Sequence, residues 1–281
     1  MNRAITKLDA VRRARGSLLS IGLEPSPKYL PAGFEPRLPD YERFLRLIVS
    51  STLDVAAAYK FNVAFFEALG AKGVELLERV RAEIPANRVV IIDAKRGDIG
   101  ATAAMYARAI FDHLDADATT VNPLMGRDAI EPFLAWSDRL TYVLALTSNP
   151  GASDFLLRDG LFERIVERVR SWDEAGCAGF VVGATRGEDI AAVRAKAPDS
   201  SFLVPGVGAQ GGEIGSVVTH GAAAGSVGDV ETDPHLLFHV TRGVLPDGDF
   251  EGDVGTEIHR KATAWLTRVR EAMAYGDAAF E

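Results

Sequence analysis

One cysteine is all the thiol this chain carries, so Cys177 has no partner for an intrachain disulfide, and without a Cys or His cluster around it the residue is a poor metal ligand. It reads as a small buried hydrophobe. Positive charge is also scarce: 31 Lys and Arg against 39 Asp and Glu leave a net charge of −8. A general nucleic-acid surface needs clustered cations to neutralise phosphates, so no nucleic-acid partner is expected. A small anion held by one or two local cations stays open. Long apolar runs are missing too. No stretch approaches the roughly 18 residues of a membrane span. Met1 to Gly16 mixes Arg, Lys and Asp with short apolar pieces and lacks the continuous segment of a secretory signal. A cytoplasmic protein without membrane contact is expected. The five histidines, His113, His220, His235, His239 and His259, show neither H-E-x-x-H nor Cys/His spacing, so no metal site is expected.

What is present is enough apolar sequence for a sizeable core: 281 residues, 47% hydrophobic and 25% charged. Short apolar, β-branched runs recur at Leu18–Leu23, Val55–Phe61, Val89–Asp93, Ala118–Val121, Tyr142–Thr147, Gly179–Gly183, Phe202–Pro205 and Leu236–Thr241. Between them lie amphipathic stretches such as Phe65–Ile84, Thr102–His113, Leu161–Ala175 and Ile190–Ala197, with apolar positions every three or four residues. Strand then helix, repeated, means parallel strands with crossover helices. An open doubly wound sheet and a closed (β/α)8 barrel both satisfy that pattern. The count of eight favours an α/β TIM barrel forming a single domain over residues 1–281. The doubly wound reading wants G-x-G-x-x-G after an early strand, whereas Gly22 is followed by Leu-Glu-Pro. Glu24 to Pro39 and Gly221 to Pro234 read as long loops.

The third run ends in charge: Val89-Val-Ile-Ile-Asp93-Ala-Lys95-Arg-Gly-Asp98-Ile99-Gly-Ala-Thr102. Residues two apart on a strand share a face, which points Asp93 and Lys95 the same way at the strand's C-terminal end. In a barrel that end carries the active site. A plainer reading makes Asp98 a helix N-cap and Asp93 with Lys95 an ordinary ion pair. The chemical reading starts from an ammonium between carboxylates, which is held charged and suits proton donation better than Schiff-base attack. Carboxylates placed against a substrate carboxylate repel it, and that repulsion vanishes as carbon dioxide leaves. The pattern therefore suggests decarboxylation followed by protonation of the carbanion.

At these residues the chain resembles the orotidine 5'-monophosphate decarboxylase group, whose D-x-K-x-x-D pattern extends to D-I-x-x-T through Ile99 and Thr102. Further similarity runs from Leu18 to Leu245: Ala58-Tyr-Lys60-Phe-Asn62-Val-Ala-Phe-Phe-Glu67, Val121-Asn-Pro-Leu-Met-Gly126, Thr147-Ser148-Asn149-Pro-Gly151, Pro205-Gly-Val-Gly-Ala-Gln210-Gly-Gly212 and Val240-Thr-Arg242-Gly. These look like the longer bacterial subgroup. The resemblance implies a charged network of Lys60, Asp93, Lys95 and Asp98, with Asp98, Ile99 and Thr102 contributed across a homodimer interface. It also implies no metal and no organic cofactor.

Each residue has a reading of its own. Lys60, near the end of the second strand, reaches a ribose hydroxyl and a neighbouring carboxylate, or is a solvated lysine. Ser148 resembles the pyrimidine-reading serine, and Ser-Asn-Pro-Gly is also strong turn chemistry. The glycines around Gln210 let backbone amides approach a phosphate, with Gln210 as a contact on a closing loop and Arg242 as the bidentate anchor; a plain turn and an exposed arginine are the alternatives. Glu24 departs from the family's Asp at the end of strand one and is placed at the ribose side of the site.

The leading expectation is a lyase that converts orotidine 5'-phosphate to uridine 5'-phosphate and carbon dioxide in pyrimidine biosynthesis, with Lys95 as proton donor. A magnesium-dependent sugar-phosphate enzyme of the same barrel group and a non-catalytic phosphate-ligand barrel are the competitors.

Overall fold

The computed structural model describes residues 2–185, 187–207, 213–222 and 236–275, and the structural statements below concern these. Eight strands close into a barrel in chain order: β1 (Leu19–Leu23), β2 (Ala58–Asn62), β3 (Val89–Arg96), β4 (Ala118–Val121), β5 (Leu140–Leu146), β6 (Ala178–Val182), β7 (Phe202–Pro205) and β8 (Leu236–Val240). All neighbours are parallel, and closure is made by β1, where Ile21 pairs with Tyr59 on one side and Val240 on the other. Helices α1 (Arg3–Arg15), α2 (Leu38–Thr52), α3 (Val63–Glu67), α4 (Ala71–Ala82), α5 (Gly100–Arg108), α6 (Arg127–Leu134), α7 (Leu161–Trp172), α8 (Gly187–Lys196), α9 (Ile214–Gly221) and α10 (Val254–Tyr275) complete the chain. The (β/α)8 expectation holds.

Both faces of the strands are apolar because both are covered, which is why the runs are continuous rather than alternating. Tyr59, Val90, Ile92, Phe202 and Val204 pack outward in the main core beneath the helices. Ala58, Ile91, Leu203 and Leu237, one residue out of phase, face a second, inner cluster with Ala4, Leu8 and Val11 of α1. Helix α1 thus lies across the N-terminal mouth of the barrel and closes it. The sequence reading assigned it no structure, although its signals are local. Asn2 caps the helix by accepting from the Ala4 and Ile5 amides, and Gly16 ends it at φ 55°. Buried Asp117 fixes it below the sheet, accepting from Lys7 Nζ at 2.8 and 2.9 Å, from the Val90 amide at 2.8 Å, and from Arg3.

Several expected boundaries shift; the helix expected over Ile190–Ala197, for one, runs from Gly187 to Lys196, and the strand expected from Val55 begins at Ala58. The amphipathic stretch Phe65–Ile84 is two helices, parted near Gly70 at φ 67°. The stretch expected from Thr102 begins at Gly100 and widens into a π-helical turn over Ala109–His113. The stretch expected to reach Ala175 stops at Trp172. The expected loop Glu24–Pro39 holds a short 3-10 turn at Pro27–Tyr29, and α2 already begins at Leu38 with Pro39 in its first turn. Of the loop expected over Gly221–Pro234, residues 223–234 lie outside the described residues.

Candidate active site

A cavity of about 450 Å³ opens at the C-terminal ends of the strands. It is lined by Glu24 after β1, Lys60 and Asn62 of β2, Asp93 and Lys95 of β3, Thr120 of β4, Ser148 after β5, and His239 and Arg242 at the end of β8. Of the expected site residues it therefore brings together Glu24, Lys60, Asp93, Lys95, Ser148 and Arg242. Gln210 lies outside the described residues.

Asp93 is the hub. Its two oxygens are divided between two lysines: Lys60 Nζ sits 2.5 Å from Oδ2 and Lys95 Nζ 2.5 Å from Oδ1, where the Thr120 hydroxyl also donates at 2.7 Å. Burial pushes the Asp93 carboxyl up, but Lys60 and then Lys95 outweigh it and hold the group far below the usual carboxylate range. The carboxylate is ionised at any working pH. Lys60 is buried, whereas the Lys95 side chain is half exposed to the cavity, so one cation is fixed and the other can reach a ligand.

Strand alternation alone does not make this pair. The β3–β4 register shifts between Ile92 and Arg96, and Lys95 has φ 48°, a left-handed conformation costing a non-glycine residue about 1 kcal/mol. The Lys95 amide donates to Thr120 Oγ1 at 3.0 Å, so one hydroxyl holds both the bulge and the carboxylate. The expected contact is present, by a bulge rather than by a regular pleat.

Asp98, Ile99 and Thr102 do not line the cavity of their own chain. The plainer N-cap reading of Asp98 also fails, because Ile99 occupies the N-cap of α5 and Asp98 Oδ1 accepts only from the adjacent Ile99 amide, at 2.8 Å. Ile99 and Thr102 are exposed. Met105, further along α5, and Leu124 and Met125, after β4, also present apolar side chains to solvent.

Glu24 turns towards Asn62, whose Nδ2 donates to its Oε1 at 3.3 Å, and not towards Lys60. Its carboxylate also faces Tyr29, whose phenol is pushed up by burial and then by Glu24. Ser148 is brought in by a close approach: a Cβ on Gly183 would lie 2.6 Å from the Ser148 amide nitrogen. Arg242 opens a 3-10 turn, and Trp265 of α10 steadies it by donating to the Gly243 carbonyl at 3.0 Å.

Asn62, Thr120, Tyr29 and His239 are site residues that sequence reasoning did not assign. Asn62 had a signal, being two residues beyond Lys60 on one strand. Thr120 reaches Asp93 through an inter-strand register that no single strand discloses. His239, one of the five histidines without metal-binding spacing, is buried yet lines the cavity. Among the described residues, no group of three or more His, Cys, Asp or Glu is placed to hold a metal ion, and no helix is long and apolar enough to cross a membrane.

Comparison with known proteins agrees with this geometry. The sequence pattern of the Orotidine 5'-phosphate decarboxylase / HUMPS family matches residues 17–249. An orotidine 5'-phosphate decarboxylase of Roseiflexus sp. (strain RS-1) is 42% identical over 270 residues, 94% of each chain. That of Roseiflexus castenholzii is 43% identical over 272 residues, 95% of each chain. The solved OMP decarboxylase of Leishmania donovani is 34% identical and superimposes with a TM-score of 0.80, over 96% of this chain and 98% of the other.

Proposed function

The chain belongs to the orotidine 5'-phosphate decarboxylase / HUMPS family, and from that premise we propose that residues 1–281 form one decarboxylase domain converting orotidine 5'-phosphate to uridine 5'-phosphate and carbon dioxide in pyrimidine biosynthesis. The observation that carries the reading is Asp93 clamped between Lys60 and Lys95 in the cavity. A substrate carboxylate seated against Asp93 is repelled until its C–C bond breaks. Carbon dioxide departs, the electron pair stays on carbon six of the pyrimidine, and the Lys95 ammonium supplies the proton that fills it. Solvent then restores the Lys95 proton. No step requires a metal or an organic cofactor.

The remaining residues bind. Lys60 and Glu24 face the ribose hydroxyls, Ser148 reads the pyrimidine, and Arg242 takes the phosphate as a bidentate partner, with Gln210 beside it. Binding at the distant phosphate contributes to orienting the reacting carbon. Asp98, Ile99 and Thr102 belong to the site of a second copy in a homodimer. Two features support this: none of the three lines its own chain's cavity, and the apolar side chains of Ile99, Met105, Leu124 and Met125 are left exposed. The absence of a long apolar helix among the described residues fits a cytoplasmic enzyme.

The direct test is the loss of orotidine 5'-phosphate absorbance on adding purified protein, with and without chelator. Loss unaffected by chelator is expected. Chelator-sensitive turnover of a sugar phosphate, with the nucleotide untouched, would overturn the reading.

A further inference from the structure

His239 is an anomaly in an apolar barrel. It is buried at the wall between β1 and β8, paired in register with Ser20, and both ring nitrogens meet hydroxyls: Nδ1 is 3.2 Å from Ser20 Oγ and Nε2 is 3.2 Å from Thr241 Oγ1. Room for this trio comes from Gly22. A Cβ there would lie 2.0 Å from Thr241 Oγ1 and 3.0 Å from His239 Cε1, so the Thr241 hydroxyl presses directly on the β1 backbone. Any side chain on Gly22 would displace it.

Thr241 stands where the chain leaves β8. Its φ of −114° and ψ of −75° break the extended conformation, its carbonyl accepts from the Val244 amide at 3.3 Å, and the next residue is Arg242. The side chain at this turn is held by an imidazole. Holding Thr241 holds the first residue of the Arg242–Val244 turn.

We propose that His239 is a positioning residue for phosphate binding, its Nε2 accepting from the Thr241 hydroxyl so that the β8 turn presents Arg242 to the cavity. This rests on the reading of Arg242 as the phosphate anchor. A neutral ring is required, since Nε2 accepts only when it carries no proton. Burial, and then the neighbouring Lys60, keep His239 uncharged. Nδ1 then carries the N–H and donates to Ser20. One side chain thus satisfies the buried Ser20 hydroxyl and the part-buried Thr241 hydroxyl, and leaving the former unmatched is unfavourable.

The two ends of the ring can be separated chemically. An asparagine amide overlays the Nδ1 position and keeps the Ser20 end, while the longer glutamine amide reaches the Nε2 position and keeps the Thr241 end. Equilibrium titration with uridine 5'-phosphate reads the outcome without requiring turnover. His239→Gln is expected to bind within about threefold of the parent protein. His239→Asn and Thr241→Val are each expected to bind about tenfold more weakly, the loss of one part-buried hydrogen bond. The double variant His239→Asn/Thr241→Val should be no weaker than either alone, because both remove the same interaction. Additive losses, or equal affinities for the Asn and Gln variants, would overturn the role of His239. A parent protein that does not bind uridine 5'-phosphate would instead overturn the site reading on which the proposal rests.

Discussion

Thr120 holds Asp93 and the backbone of Lys95 with one hydroxyl, donating to the carboxylate at 2.7 Å and accepting from the amide at 3.0 Å. The side chain makes no hydrogen bond to either lysine's ammonium, yet it holds the left-handed bulge that brings Lys95 back onto Asp93. Thr120→Val keeps the shape and removes both bonds. The expected result is a fall in kcat/KM of about 10- to 100-fold with the fold retained, read by steady-state kinetics beside circular dichroism. Unchanged kinetics would mean the bulge is held by the strand pairing alone.

Lys95→Ala removes the half-exposed cation of the pair and leaves Lys60 on Asp93. Turnover should drop by about 1,000-fold or more, the scale of a lost general acid, while uridine 5'-phosphate still binds. A variant that retains substantial turnover takes Lys95 out of the proton-donor role.

Mixing two inactive proteins tests the shared site. On the proposed shared site, Lys95→Ala and Asp98→Ala homodimers each lack one member of every site. After subunit exchange, half the dimers are mixed and carry one intact site in two, so about a quarter of the parent activity should return. No recovery under conditions where exchange is demonstrated would place Asp98 in its own chain's site, or in none.

Stability should follow pH through His239. Its pKa is depressed well below its ordinary value of 6.5 by burial and Lys60, so the folded ring stays neutral while the unfolded ring takes a proton. The unfolded state then binds more protons, and stability rises with pH. The contribution is complete above about pH 6.5 and is lost as pH falls below it, with a slope of up to about 1.4 kcal/mol per pH unit. The depressed Asp93 carboxyl acts with the same sign but in a lower window, below its ordinary 3.8. Urea unfolding at about pH 7.5 and pH 5.5 should show the decline in the parent protein and a flatter response in His239→Gln. Identical declines in the two proteins would assign the effect to other groups.

The barrel was legible because its signal is distributed: eight short apolar runs between helical stretches survive boundary errors of a few residues at Phe65, Thr102 or Ala175. Asp93 and Lys95 were legible because charge at the end of an apolar strand demands a reason. Thr120 and His239 were not, since their meaning lies in which strand sits beside which, and register is a property of the closed sheet. Glu24 lines the cavity, but its partners, Asn62 and Tyr29, depend on the path of the loop after β1. Helix α1 was missed for another reason: its apolar residues Ala4, Leu8 and Val11 have no visible purpose until a barrel floor exists for them to cover.

That floor acts as a stopper. With Ala4, Leu8 and Val11 packed into one mouth and Asp117 tying the helix down, the described residues fill the end of the barrel opposite the cavity. On the proposed reaction, carbon dioxide released beside Lys95 is turned towards the C-terminal face, the same side on which the nucleotide enters.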